Sequence, residues 1–553
     1  MISIENKLLV KNGIVYDPVN HIEGEVKDIL IESGKIVSKF SNDVDVQEID
    51  ASGKTVVPAA LDIHTHVASQ QLNWARLIGT HNKQFLSYWK GLTLEHIARS
   101  YLANGFTFVL EANVYPSLSK HTIFDLTRIP VLDSAFLLNI SNFWPLELEF
   151  QRGLVEDGAA VLSYLLKEVK AFGIKAYNPF ESENWNWKLE RENLNEKGRL
   201  YNFSPMDVYI NLLKFVEDLG LPHSLHTHVE GYESDIGKTN LNELLEKING
   251  LGLSSKGSRT QIFHLAHASS YAKDGDNSGL IDFYNTHQNY DLDLGFIGFN
   301  SVNPLVTSDR RLINNLTKET NSYQVVRFAT EFEGDLFASL RKFEKQNYNH
   351  CNIWANAYEL ALKIKNKWQL QLSINYPNYA DVLDIPEIAS LLLSNSARKD
   401  YMSDMNKEFL KKHSLVSEDQ SLSFQDLITI TRASPAKSLG ISHIKGSLNE
   451  GNDGDLNIID LNPLEMNLEK DYKQTRDSLS HIEYVIKAGR IIKSKDQFDL
   501  TEKGHILWAS GKVKKDDVKL LFKRKKEFFE KYYSLFIKSY STSVSNKILR
   551  KVD

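Results

Sequence analysis

The apolar runs "FTFVLEANV", "GIKAYNP", "HSLHTHVEG" and "TQIFHLAHASS" alternate with helical stretches such as "SPMDVYINLLKFVEDLG". A chain with that alternation builds β/α units around a parallel sheet, open or closed into a barrel. On either side the texture changes. From Leu8 to Val57, short β-rich runs are broken by turn signals ("LLVKNGIVYDP", "VKDILIESGKIVSKF"), and the pattern returns in "GSLNEGNDGDLNIIDLNP" and "HIEYVIKAGRIIKSKDQF". Two separated halves of one β-domain, with the larger domain inserted between them, account for both. The Asn- and Tyr-rich span from about 290 to 390 reads as barrel units carrying insertions. After Gly511 a Lys-rich segment places Val518, Leu521, Phe522, Phe529, Tyr532, Tyr533 and Phe536 near helical spacing. That stripe predicts an amphipathic helix packed on its own protein or on a partner chain.

With 553 residues, 42% hydrophobic and 25% charged, the chain can hold one large barrel plus accessory modules. Its formal net charge of -6 gives no broad field for nucleic acid or an anionic membrane, so a small-molecule or protein partner is expected. The single cysteine, Cys351, excludes an internal disulfide or a cysteine-ligated cluster, and any metal must be held by His, carboxylate or an unusual ligand. Beside His350 in "NHCNI", Cys351 is expected to be buried and inert. No basic-then-apolar leader opens the sequence, and no run approaches the ~20 apolar residues of a membrane span. A cytoplasmic protein is expected. "GYESDIGKT" imitates a phosphate-binding loop, but its glycines are wrongly spaced, and no nucleotide is assigned to it.

The chemistry lies in the strand ends. In "LDIHTHV", His64 and His66 are two residues apart, so on a strand they project to one side and can share a cation. Alone, the pair is equally compatible with two polar residues that finish a strand. Further histidines close two later runs: His223, His226 and His228 in "LPHSLHTHVEG", and His264 and His267 in "IFHLAHASS". Three strand ends supplying imidazoles to the loop-bearing rim of a barrel are hard to explain by packing. Lys175 lies inside the apolar "FGIKAY"; a buried ammonium is costly, so it is paired, for instance with Glu181, or chemically altered.

The ordered set "VKNGIVYDPVN", "DIHTHVA", "IKAYNPFESENWNWK", "HTHVEG", "HLAHASS", "ITRASPAKSLGI" and "YVIKAGRIIK" resembles the amidohydrolase superfamily. Within it the resemblance is to the branch that supplies the amidohydrolase-type chain of formylmethanofuran dehydrogenase and of the bacterial formyltransferase/hydrolase complex; "FFEKYYSLFIKSY" is similar to that branch's C-terminal helix. The resemblance implies an α/β fold: an amidohydrolase-type (β/α)8 TIM-like barrel over residues 58–440, a small β-sandwich built from 1–57 and 441–500, and a helical extension over 501–553. It further implies two divalent metal ions, with zinc favoured by the ligand types, held by His64, His66, His228, His267 and a bridging N6-carboxylated Lys175. His226 and His264 are substitutes, and Asp62 and Asn178 support the site or bind substrate. The implied activity is reversible hydrolysis of N-formylmethanofuran to formate and methanofuran, within a complex of several different chains. A metal pair there supplies an activated water and polarises the formyl carbonyl.

One departure matters. The branch carries its general acid/base, an aspartate, in a "TDHPNG"-like stretch at the end of the eighth strand, and "ASLLLSNSARKDYMSDM" is the segment read in that place. Asn395 then stands opposite the aspartate and cannot accept a proton; Asp400, Asp404 and, from further off, Asp384 are the replacements considered. Two other readings follow: a structural component of such a complex with weak or lost turnover, and another cyclic-amide or N-acyl hydrolase of dihydropyrimidinase type.

Overall fold

The structure, a computed structural model, describes residues 7–42, 44–78, 92–187, 189, 191, 193–256, 259–299, 302–320, 326–330, 334–513, 521, 523, 525–526 and 537–552. Strands β1 (Lys7–Asp17), β2 (Ile22–Glu32), β3 (Lys35–Val37), β4 (Val46–Asp50) and β5 (Thr55–Pro58) form the first part of a β-domain. Val10, Val15, Ile31 and Val56 point into its core.

The chain then enters the barrel. β6 (Ala60–Thr65), β7 (Phe106–Val114), β8 (Asp133–Asn139), β9 (Gly173–Tyr177), β10 (Leu225–His228), β11 (Phe263–Leu265) and β12 (Tyr290–Asp293) follow one another around it, each of the last six pairing in parallel with its predecessor. An antiparallel insertion follows: β13 (Val302–Thr307), β14 (Val326–Thr330) and β15 (Gly334–Lys342). The two-residue β16 (Leu370–Gln371) is the eighth barrel strand, parallel to β12. The ring closes just beyond it, where Thr65 and Tyr376 form a parallel bridge and the His66 N–H donates to the Tyr376 carbonyl at 2.7 Å.

Helices between the strands have local reasons to form. In Pro205–Leu219, Ser204 and Asp207 make a reciprocal capping box, Pro205 occupies the first turn, and Gly220 ends the helix at φ 60°. Its Val208, Leu212, Phe215 and Leu219 fall on a buried face at helical spacing. No helix among the described residues is long and apolar enough to cross a membrane.

β17 (Leu456–Ile459) returns to the β-domain, antiparallel to β5 with Val56 opposite Ile458, and β18 (Tyr484–Lys487), β19 (Arg490–Ser494) and β20 (Gln497–Phe498) complete one nine-stranded sheet drawn from both flanks of the barrel. The span after 501 holds strands as well as helix. β21 (Ile506–Trp508) pairs in parallel with β8, and β22 (Leu549–Lys551) pairs with β21. Leu507 and Val552 thereby join Leu61, Ile63 and Phe108 in one core cluster. Of the predicted apolar stripe, Leu521 is buried, and Val518, Phe522, Phe529, Tyr532, Tyr533 and Phe536 lie outside the described residues. Nearby, Lys525 reaches Glu149 at 2.8 Å.

Candidate functional site

The strand ends converge on a small cavity lined by His64, His66, Lys175, His228 and His267 with Asn113, Tyr177, Tyr232, Asn375 and Tyr379 among its other walls. Five residues singled out from the sequence therefore meet in one place. β13 covers the cavity, contributing Leu305 and Val306, and the Thr307 hydroxyl ties down both Tyr177, at 2.9 Å, and Tyr232.

Each imidazole is held by its other side. His66 Nδ1 lies 3.1 Å from Glu111 Oε1, while the second Glu111 oxygen accepts the Ala68 N–H. His64 Nδ1 lies 2.9 Å from Asp293 Oδ2. His267 has left-handed backbone (φ 31°), its N–H donates to Asp293 Oδ1 at 2.9 Å, and its Nδ1 meets the Ser270 hydroxyl at 3.1 Å. His228 is wedged edge-on between the Tyr177 and Tyr232 rings and meets His267 edge-on at 4.5 Å between centroids. Burial pushes the pKa values of His64, His228 and His267 down, to about 3 for His64, so these rings are neutral and carry lone pairs at physiological pH.

Among the described residues, four buried polar atoms of the cavity's lining side chains have no hydrogen-bond partner: Lys175 Nζ, His228 Nε2, Gln71 Oε1 and Asn113 Oδ1. Orphaned groups of this kind carry a desolvation cost unless something binds them. Burial also lowers the Lys175 pKa to about 7. With neutral imidazoles, a buried amine and a carboxylate orienting His66, the donor set suits a divalent cation.

The other expected residues separate. Asp62 lies below the cavity, accepting the His64 N–H and the Tyr101 hydroxyl, each at 3.0 Å, and burial raises its pKa to about 7. Asn178 is not in the cavity wall; its Nδ2 donates to the Ser308 hydroxyl at 3.0 Å. His226 and His264 occupy a deeper tier with His223. His264 Nδ1 lies 3.0 Å from Asp291 and its Nε2 3.2 Å from Asp293. Burial opposes charge on His264, yet the two aspartates raise its pKa, while burial opposes charge on Asp293 and His64 and His264 draw it well below the carboxylate range.

Asn395, Asp400 and Asp404 are elsewhere. Asn395 opens the helix Asn395–Met402 and donates to Asp419 at 3.1 Å, Asp400 accepts from Tyr472, and Asp404 pairs with Lys345 at 2.7 Å. Asp384 caps a turn by accepting the Asp381 N–H. The eighth strand instead runs into "SINYPNY", residues 373–379, so Asn375, whose Oδ1 accepts from Asn378 at 3.2 Å, stands at its end in the cavity wall. The shared Pro-Asn pair in that stretch was the available signal. Sequence reading also passed over Asp291 and Asp293, although "YDLDLG" sets two carboxylates on one side of a strand. No carboxylate lines the cavity among the described residues. Cys351 is buried on the helix Tyr348–Lys363, its thiol donating to the Lys345 carbonyl, and burial pushes its pKa up.

Comparison with known proteins agrees with the motif resemblance. An amidohydrolase family matches residues 350–493. Protein FwdA of Methanocaldococcus jannaschii is 26% identical across 97% of this chain and 96% of its own length. The FhcA chain of the formyltransferase/hydrolase complex of Methylorubrum extorquens is 24% identical across 92% of this chain and 91% of its own. A chain in the crystal structure of the formyltransferase/hydrolase complex from that organism, in complex with methylofuran, superimposes with a TM-score of 0.86 at 20% identity, covering 99% of both chains. The amidohydrolase-type barrel with its accessory β-domain is thus the fold of this protein.

Proposed function

We propose that this chain, an amidohydrolase-fold protein similar along its length to those two relatives, is a metal-dependent hydrolase that splits an N-formylated amine, N-formylmethanofuran or a close analogue, into formate and amine. The observation that carries the reading is the cavity itself, where four imidazoles, His64, His66, His228 and His267, surround a buried lysine amine that has no hydrogen-bond partner among the described residues. In this reading His64, His66, His228 and His267, with Lys175 as a carbamate, would hold the metal pair, with zinc favoured. Bound there, the metal pair supplies an activated water and polarises the formyl carbonyl.

The chain's own residues do the rest. With its pKa near 7, Lys175 is substantially neutral at physiological pH, so its Nζ lone pair can add to CO2, forming the N–C bond and releasing one proton. Glu111 fixes the His66 ring and its tautomer. The amides of Asn375 and Asn378 present hydrogen-bonding groups to a formamide, and Leu305 and Val306 line the cavity with apolar surface, while the Tyr379 hydroxyl is tied to Glu233 at 2.7 Å. The protein works in the cytoplasm as the hydrolytic component of a complex resembling that of its relatives.

Asn375 favours a second reading, a structural component with weak turnover, because an amide cannot shuttle the proton the leaving amine requires. Two measurements on the full chain, with its partner chains restored, separate the two: zinc content by plasma mass spectrometry, and formate release from N-formylmethanofuran or N-formylfurfurylamine. The hydrolase reading expects about two zinc ions and release that Lys175→Ala abolishes. If a missing base limits the rate, Asn375→Asp raises it by ~10²–10⁴-fold. Bound zinc with no release in either form would establish the scaffold, and release from cyclic amides alone would point to a dihydropyrimidinase-type substrate.

A further inference from the structure

Beneath the cavity the barrel axis is filled by a line of imidazoles. His64 Nδ1 lies 3.1 Å from His226 Nε2, His226 Nδ1 lies 3.1 Å from His223 Nε2, and His223 Nδ1 lies 2.8 Å from the carbonyl oxygen of Ser438. All three rings are fully buried, and among the described residues neither His223 nor His226 has a carboxylate within hydrogen-bond distance. Ser438 ends the short helix Ser434–Ser438; its Ala436, with Leu439 and Ile441 just beyond, packs against Leu61, Ile63 and Phe108 of the barrel strands. The line therefore runs from a plug at one end of the barrel to the cavity at the other.

Its sense can be read from chemistry. A carbonyl oxygen only accepts, so His223 carries its proton on Nδ1, and as a neutral ring it offers a lone pair at Nε2. His226 must then donate from Nδ1, leaving a lone pair at its own Nε2. Facing that lone pair and the Asp293 carboxylate together, His64 Nδ1 must carry a hydrogen. The nitrogen left over, Nε2, is the one with which His64 meets the cavity it lines. The opposite tautomer of His226 would set two N–H groups against each other, or strip His64 of its charge-assisted bond to Asp293.

We propose that His223 and His226 are positioning residues that, anchored on the Ser438 carbonyl, hold His64 as its Nδ1–H tautomer with the Nε2 lone pair facing the cavity. The consequence for zinc rests on the ligand role given to His64 above; the order of protons along the line does not.

Two-bond 1H–15N spectra of the full chain, labelled at histidine and stripped of metal with a chelator, read the tautomers directly. His223→Leu and His226→Leu assign the signals. All three wild-type rings should show the Nδ1–H pattern, and His223→Leu should mix the tautomers of His226. Zinc affinity, measured by chelator competition, should fall by ~10–100-fold in both leucine variants, as for other groups that orient metal ligands. His223→Gln, whose amide can offer an oxygen to His226 Nδ1, should keep most of it. An Nε2–H pattern at His226 in the wild type would overturn the proposal, as would unchanged zinc affinity in a folded His223→Leu. Failure of the hydrolase reading would appear separately, as zinc bound without formate release.

Discussion

Glu230 lies two residues beyond His228, but its carboxyl faces a separate polar pocket with Glu181, Asp309 and Arg311. Burial is the main influence on it; Arg311 opposes and Asp309 adds, and its pKa is pushed up to about 8 from an ordinary 4.5. Between those values the folded chain holds a proton that the unfolded chain has released, so stability falls as pH rises, by at most about 1.4 kcal/mol per pH unit. Glu230→Gln should flatten that slope, which urea unfolding at pH 5, 6.5 and 8 would register; parallel slopes for variant and parent would refute the assignment. At the same scale, Glu111→Gln removes the carboxylate that orients His66. Zinc affinity should drop ~10–100-fold with little change in secondary structure by circular dichroism.

Among elements, the turn after β12 leaves no room for a side chain. Gly295 sits at φ 66°, and a Cβ there would lie 2.4 Å from the Cβ of His267. Neither atom can yield without moving backbone, and the left-handed conformation adds its own penalty. Gly295→Ala should therefore displace His267, lowering both the melting temperature and the zinc content; a variant that still loads about two zinc ions per chain would show that the turn relaxes. The eighth strand shows where element-level reading from sequence failed. β16 has two residues, too few to display an alternation, and the stretch after it has Asn375 and Tyr376 where the resemblance led one to expect Asp and His. Asn395 was reached instead, in a segment whose Ser394 in fact caps a helix, its hydroxyl accepting the Ala397 N–H at 3.0 Å.

Across the whole molecule, barrel, β-domain and final strand are joined through Lys445. Its buried Nζ lies 2.7 Å from Asp133 on β8, and 3.3 and 2.5 Å from Asp453 and Asp455 before β17, while Arg550 on β22 holds Asp453 at 2.6 Å. The lysine ammonium thus sits where the three aspartates would otherwise gather a metal cation. Lys445→Met would leave carboxylates buried beside one another and should cost ~3–5 kcal/mol in urea unfolding. A loss below about 1 kcal/mol would mean that Lys487, 2.9 Å from Asp133, takes over its role. By itself the sequence displayed the β/α alternation, the β-domain shared by both flanks and the histidine-bearing strand ends, because strand periodicity and strand ends are local properties that a run of residues displays; the closed barrel and the choice of His64, His66, Lys175, His228 and His267 came from the motif resemblance. Tertiary structure alone decided that Asn375 ends the eighth strand, that Asp293 lies beneath His64, and that His223 and His226 line up under it. Those relations join residues up to hundreds of positions apart, and only the closing of the barrel brings them within hydrogen-bond range.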